Sequence, residues 1–116
     1  MVIAFDFDGT LVKDEFPRIG EPLQEGLDLM RKLIEEDVEV VLFTVRSGKY
    51  LMEAVNFLNS QGITDFFVNQ NAQPVSDSPK VYYDVIFDDR AFGTPLIRKP
   101  GEKPYVDWGR VLAILK

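Results

Sequence analysis

The sequence predicts a three-layer α/β domain on a parallel sheet, and three observations carry that prediction. Apolar runs of strand length alternate with segments of helical periodicity. The run over residues 38–43 is almost continuously β-branched or apolar, as in a strand covered on both faces. Three of the runs stop on polar residues that would share one end of such a sheet.

The elements follow in order. Strand one covers residues 2–7. Residues 22–36 read as a helix, with Leu23, Leu27, Met30 and Ile34 at helical spacing and Pro22 tolerated in the first turn. Strand two follows over residues 38–43. Ser47 is a candidate N-cap for a second helix whose apolar face is Leu51, Ala54, Val55 and Leu58, with Gly62 ending it. Residues 65–68 form a short third strand, and 85–87 a fourth that ends in Asp88-Asp89. Residues 95–98 read as a fifth. Asp107 caps a last helix carrying Val111, Leu112 and Leu115. Strand–helix alternation implies right-handed crossovers, and residues 1–116 form a single domain.

Composition removes many chemistries. Cysteine and histidine are both absent, which excludes disulfides, thiol nucleophiles, Ser-His-Asp triads and histidine or cysteine zinc sites. Proton transfer must therefore run through carboxylates, Lys, Tyr or water. No apolar run is long enough to span a bilayer, and Asp6 interrupts the only stretch that could serve as a signal peptide, so a cytoplasmic location is expected. The net charge of −6 gives no bulk attraction to nucleic acid.

The most informative residues are Asp6 and Asp8. Two carboxylates flanking one aromatic at a strand end, two residues apart, would project from one face. Held together and partly dehydrated they repel, unless a cation sits between them. Gly9 allows a sharp turn, and Thr10 can hydrogen-bond back to a carboxylate. In open parallel sheets ligands sit beyond the carboxyl ends of the strands. With strand one between strands two and four, Asp6 and Asp8 would meet Thr44 and Arg46, and Asp88 and Asp89, in one crevice. Asp6, Asp8 and Asp88 offer only hard oxygen ligands, which selects Mg2+ and favours a phosphorylated ligand. Thr44, the amides around Arg46-Ser47-Gly48, and Lys80 are candidate phosphoryl donors, and Arg46 is a candidate contact for a second substrate anion.

Asp6-Phe7-Asp8-Gly9-Thr10-Leu11, then Thr44, Lys80 and Asp88-Asp89 in that order, resembles the haloacid dehalogenase superfamily of phosphohydrolases. The resemblance implies a Rossmann-like core with strand order 3-2-1-4-5. It also implies Asp6 as the nucleophile forming an aspartyl-phosphate and Asp8 as general acid and base. Thr44 and Lys80 would bind the phosphoryl group. Mg2+ would be held by Asp6, Asp88 and the Asp8 carbonyl, with Asp89 and Thr10 in support. In that superfamily the second aspartate goes with phosphatases and mutases. The intervals where members insert a lid are too short here for a folding unit, so the resemblance is to the capless subgroup.

An open crevice admits a large substrate, is closed by a second copy of the chain, or hydrolyses small phosphates with modest selectivity. A small phosphorylated molecule is the expected substrate and no membrane partner is expected. A phosphatase of polynucleotide ends or phosphoprotein is one alternative. A non-catalytic phosphate-binding or receiver-like module is another. A receiver would carry its acceptor aspartate after strand three, where this chain has Asn69-Gln70-Asn71.

Overall fold

The computed structural model describes residues 1–73 and 76–115. Its elements are β1 (Val2–Phe5), α1 (Gln24–Glu35), β2 (Glu39–Leu42), α2 (Gly48–Ser60), β3 (Phe67–Val68), β4 (Val85–Phe87), β5 (Leu96–Ile97), β6 (Tyr105–Val106) and α3 (Trp108–Ile114). Four strands form a parallel sheet in the order β3-β2-β1-β4. Ala4 lies opposite Val41 on one side and Ile86 on the other, so β1 is central and all its backbone groups can be paired. No helix among the described residues is long and apolar enough to cross a membrane.

One sheet face is built as the alternation along the strands requires. Ile3, Phe5, Val40 and Leu42 meet Leu27 and Met30 of α1, Ala54 and Leu58 of α2, and Trp108 and Val111 of α3. All three helices therefore share one face. The opposite face, Val2, Ala4 and Val41, is covered by Val81, with Ala72 and Tyr83 packed beside it. This corrects the expected third layer: the cover is irregular chain, with no helix among its described residues. Prolines at 74 and 79 and the run of Asn, Ser and Asp around them disfavour a helix in the connection from β3 to β4.

The fifth strand is the other correction. β5 does not extend the parallel sheet; it pairs antiparallel with β6, Leu96 opposite Val106. A parallel strand needs a crossover of a dozen or more residues, and the segment from Asp88 to Pro95 is too short. That segment instead folds into tight turns, with the Ala91 N–H and the Thr94 hydroxyl both donating to the Asp88 carbonyl. The β5–β6 hairpin then docks on the end of β1, where the Val106 N–H donates to the Gly9 carbonyl at 2.9 Å. Asp107 caps α3 as the sequence indicates, accepting from the Arg110 N–H at 3.2 Å.

Candidate functional site

The parallel pairing of β1 with β4 decides where the acids meet. Phe5 lies opposite Phe87, and the Asp6 N–H donates to the Phe87 carbonyl at 2.9 Å, so the residues after each strand leave side by side. Asp6, Asp88 and Asp89 each bring a carboxylate oxygen to within 4.8 Å of the others. Thr10 joins them: its hydroxyl donates to Asp6 Oδ2 at 3.4 Å and accepts from the Asp89 N–H at 3.1 Å. The Arg90 N–H fixes Asp88 Oδ1 at 2.9 Å.

Three carboxyls this close cannot all ionise cheaply without a cation. Burial, then the hydrogen bond with Asp89 and the charges of Asp88 and Asp89, push the Asp6 carboxyl up to about 8; the Phe7 N–H opposes them. Burial also raises Asp89, against a lowering contribution from its bond to Asp6. A hard divalent cation among these oxygens would replace the proton and remove the repulsion, so the donor set fits such an ion.

Asp8 departs from the period-two expectation. β1 ends at Phe5, and the chain then turns through Gly9 at φ 85°, so Asp6 and Asp8 diverge. The Asp8 carboxylate takes a bidentate ion pair from Arg46, with Nε and Nη2 each 2.8 Å from an oxygen. Asp8 nevertheless lines the same cleft of about 400 Å³ as Asp6, Asp88 and Asp89. Asp14, Phe16 and Val45 line it too, with Arg90 and Lys103 adding positive charge.

Four sequence expectations need correction here. Arg46, expected to meet a substrate anion, is fully buried at its side chain and committed to Asp8. Lys80 lies outside the cleft, in a separate depression with Ser76, Ser78 and Tyr82. The reason is topological: the chain entering β4 starts at the amino end of β1, where Asp84 accepts the Val2 N–H at 2.7 Å, far from the strands' carboxyl ends. Asp89, expected behind the ligands, stands in the acidic group itself, while the Asp8 carboxylate does not. Thr44 is nearly buried and does not line the cleft; its N–H donates to Asn69 Oδ1 and its hydroxyl accepts from the Arg46 N–H.

Sequence reasoning missed Lys103. It sits in the turn between β5 and β6 and reaches the cleft, with Nζ 3.8 Å from Asp14 Oδ1. No spacing from a strand end points to it, because tertiary docking of the hairpin brings it there.

Gly9 ties the turn to the acids. A Cβ on this residue would fall 2.7 Å from Asp89 Cγ, and its φ lies where side chains are strained. Gly9→Ala is therefore expected to destabilise the protein by roughly 1–3 kcal/mol and to push Asp89 out of the cluster. With a cation placed among these oxygens, as their donor set allows, calorimetric titration with Mg2+ should show at least a tenfold loss of affinity; an affinity equal to that of the wild type would contradict this placement of Asp89.

No family model matches the chain, and no curated protein matches it. Among solved structures it is similar to one described as the conserved protein coded by a locus from Bacteroides thetaiotaomicron. The two are 31% identical, the match covers 99% of this chain and 88% of that one, and they superpose with a TM-score of 0.76. The chain belongs to that protein's family. A match over nearly the whole chain takes in both the sheet and the docked hairpin that together form the cleft.

Proposed function

We propose that this protein is a Mg2+-dependent phosphohydrolase with a capless, haloacid dehalogenase-like core, acting on a phosphate monoester through an aspartyl-phosphate. One observation carries the reading: Asp6, Asp88 and Asp89 converge at the carboxyl ends of β1 and β4, and Asp8 lines the same cleft. The strand order β3-β2-β1-β4 supports it, since the chain winds outward from β1 through β2 to β3 and then returns to the other side of β1, which puts these ends at the point where the winding reverses.

Asp6, Asp88 and Asp89 would hold the metal, which when bound neutralises charge on the carboxylates and on the phosphoryl oxygens. An Asp6 oxygen attacks phosphorus as the ester oxygen departs, and Asp8 gives that oxygen a proton. Asp8 then takes a proton from water, whose oxygen attacks phosphorus and releases Asp6 and inorganic phosphate. Lys103 and Arg90 supply the cations facing the phosphoryl group, in the place the sequence reading gave to Lys80. The cleft walls at Phe16 and Val45 are apolar and exposed, which suits a small phosphate ester with an apolar part.

Activity against a panel of phosphate esters should vanish in excess chelator and return with Mg2+. Full turnover in chelator would refute the proposal. Because a proton occupies the cluster near neutrality, Mg2+ binding at pH 7 should release protons, seen as a buffer-dependent binding enthalpy.

A further inference from the structure

We infer that Arg46 is the positioning residue of this site: one buried guanidinium sets the Asp8 carboxylate and fastens the flap of residues 14–18 to the same point. The inference rests on the phosphohydrolase reading, in which Asp8 moves the proton.

The guanidinium has no donor left for a substrate. Nε and Nη2 donate to Asp8, Nη2 also to the Arg18 carbonyl at 2.9 Å, and Nη1 to the carbonyls of Pro17 at 3.1 Å and Tyr50 at 3.2 Å. That uses every N–H of the planar fork. The side chain lies between the rings of Phe7 and Phe16, each centroid 5.1 Å from Cζ. Its own N–H is held by the Thr44 hydroxyl. A charge buried this deeply loses its water, and the loss is offset only because each donor is matched.

A residue so committed can affect a reaction only through what it holds. It holds Asp8 by both oxygens, which fixes rotation of the carboxylate as well as its place. It also holds the carbonyls of Pro17 and Arg18, next to Phe16, which lines the cleft. Lysine could replace the charge but not the fork, so it would leave Asp8 free to turn and would release flap carbonyls. A misplacement of about 1 Å can cost on the order of 100-fold in rate. The cost falls on proton transfer, so in the first step, where Asp8 protonates the departing oxygen, it depends on the leaving group.

The test is a kinetic cycle of wild type, Arg46→Lys, Asp8→Asn and the double variant. The substrates are an alkyl phosphate, whose leaving oxygen needs a proton, and para-nitrophenyl phosphate, whose leaving oxygen does not. Arg46→Lys should lower kcat/KM, which reports only the step in which the ester oxygen departs, by about 100-fold on the alkyl ester and by less than about 5-fold on the aryl ester. Mg2+ affinity should stay within about 3-fold, because Arg46 does not touch the acidic cluster. In the Asp8→Asn background the same change should add no further loss.

Losses that multiply in the double variant overturn the assignment. Arg46→Gln takes the place of the lysine variant in the same cycle if that one does not fold. A wild type that turns over neither ester overturns the phosphatase reading and this assignment with it. Wild-type turnover with multiplying losses overturns the assignment alone.

Discussion

Asp6→Asn is expected to end turnover and at the same time to stabilise the metal-free protein. Turnover stops because an amide is no nucleophile toward phosphorus, and the change is nearly isosteric. The gain in stability follows from the direction of the Asp6 shift. The folded-state value is about 8 against 3.8 for an exposed aspartate in the unfolded chain, so the fold disfavours the ionised form, first by burial and then through Asp89 and Asp88. Below pH 3.8 both states hold the proton and nothing is lost. Between there and about 8 the unfolded chain gives up its proton while the folded chain keeps it, and stability falls as pH rises. Above about 8 the full penalty is in place. Asparagine has no such titration.

Urea unfolding in chelator across this range should therefore show wild type weakening with pH relative to Asp6→Asn. Saturating Mg2+ should narrow the gap by stabilising the wild type more than the variant, which keeps only Asp88 and Asp89 of the acidic group. Parallel pH profiles for the two proteins would refute the burial of an acidic cluster. Residual turnover by the variant at more than about one part in a thousand would refute the nucleophile assignment, since loss of a covalent route costs at least this much.

What the sequence revealed of this site follows from range. The acids at the ends of β1 and β4 were legible because an apolar run that stops on aspartate is a local signal, and parallel pairing brings such ends together. The helix faces of α1 and α2 were legible for the same reason. Asp8 was misplaced because the period-two rule holds only inside a strand, and β1 ends at Phe5. Its partner Arg46 lies 38 positions away, beyond any spacing rule. β6 is two residues long and visible only through its pairing with β5. Lys103 depends on that hairpin's docking, and the irregular cover over Val2, Ala4 and Val41 depends on packing of Val81 and Tyr83, which no periodicity announces.

Trp108→Ala should be the most destabilising single substitution, costing roughly 3–5 kcal/mol. That is a large part of the ~5–15 kcal/mol available to a domain. The indole is buried where α1, the ends of β1 and β4, and the turn at Thr10 meet. Its ring lies 5.3 Å from Phe87 and 6.2 Å from Phe5, centroid to centroid, and so seals the ends of β4 and β1. Against α1 it fits so closely that a Cβ on Gly26 would fall 2.7 Å from Cζ2. Its Nε1–H donates to the Thr10 carbonyl at 2.7 Å, and the Thr10 hydroxyl in turn touches Asp6 and Asp89. The core thus supports the acidic cluster through one hydrogen bond. Trp108→Phe separates the two roles. It keeps most of the ring but leaves the Thr10 carbonyl unpaired, for a loss of about 1–3 kcal/mol. Its Mg2+ affinity should fall further than that modest destabilisation suggests, because Thr10 is freed to shift. Urea midpoints and calorimetric titrations of both variants test this, and wild-type Mg2+ affinity in Trp108→Phe would show that Thr10 holds the acids without help from the indole.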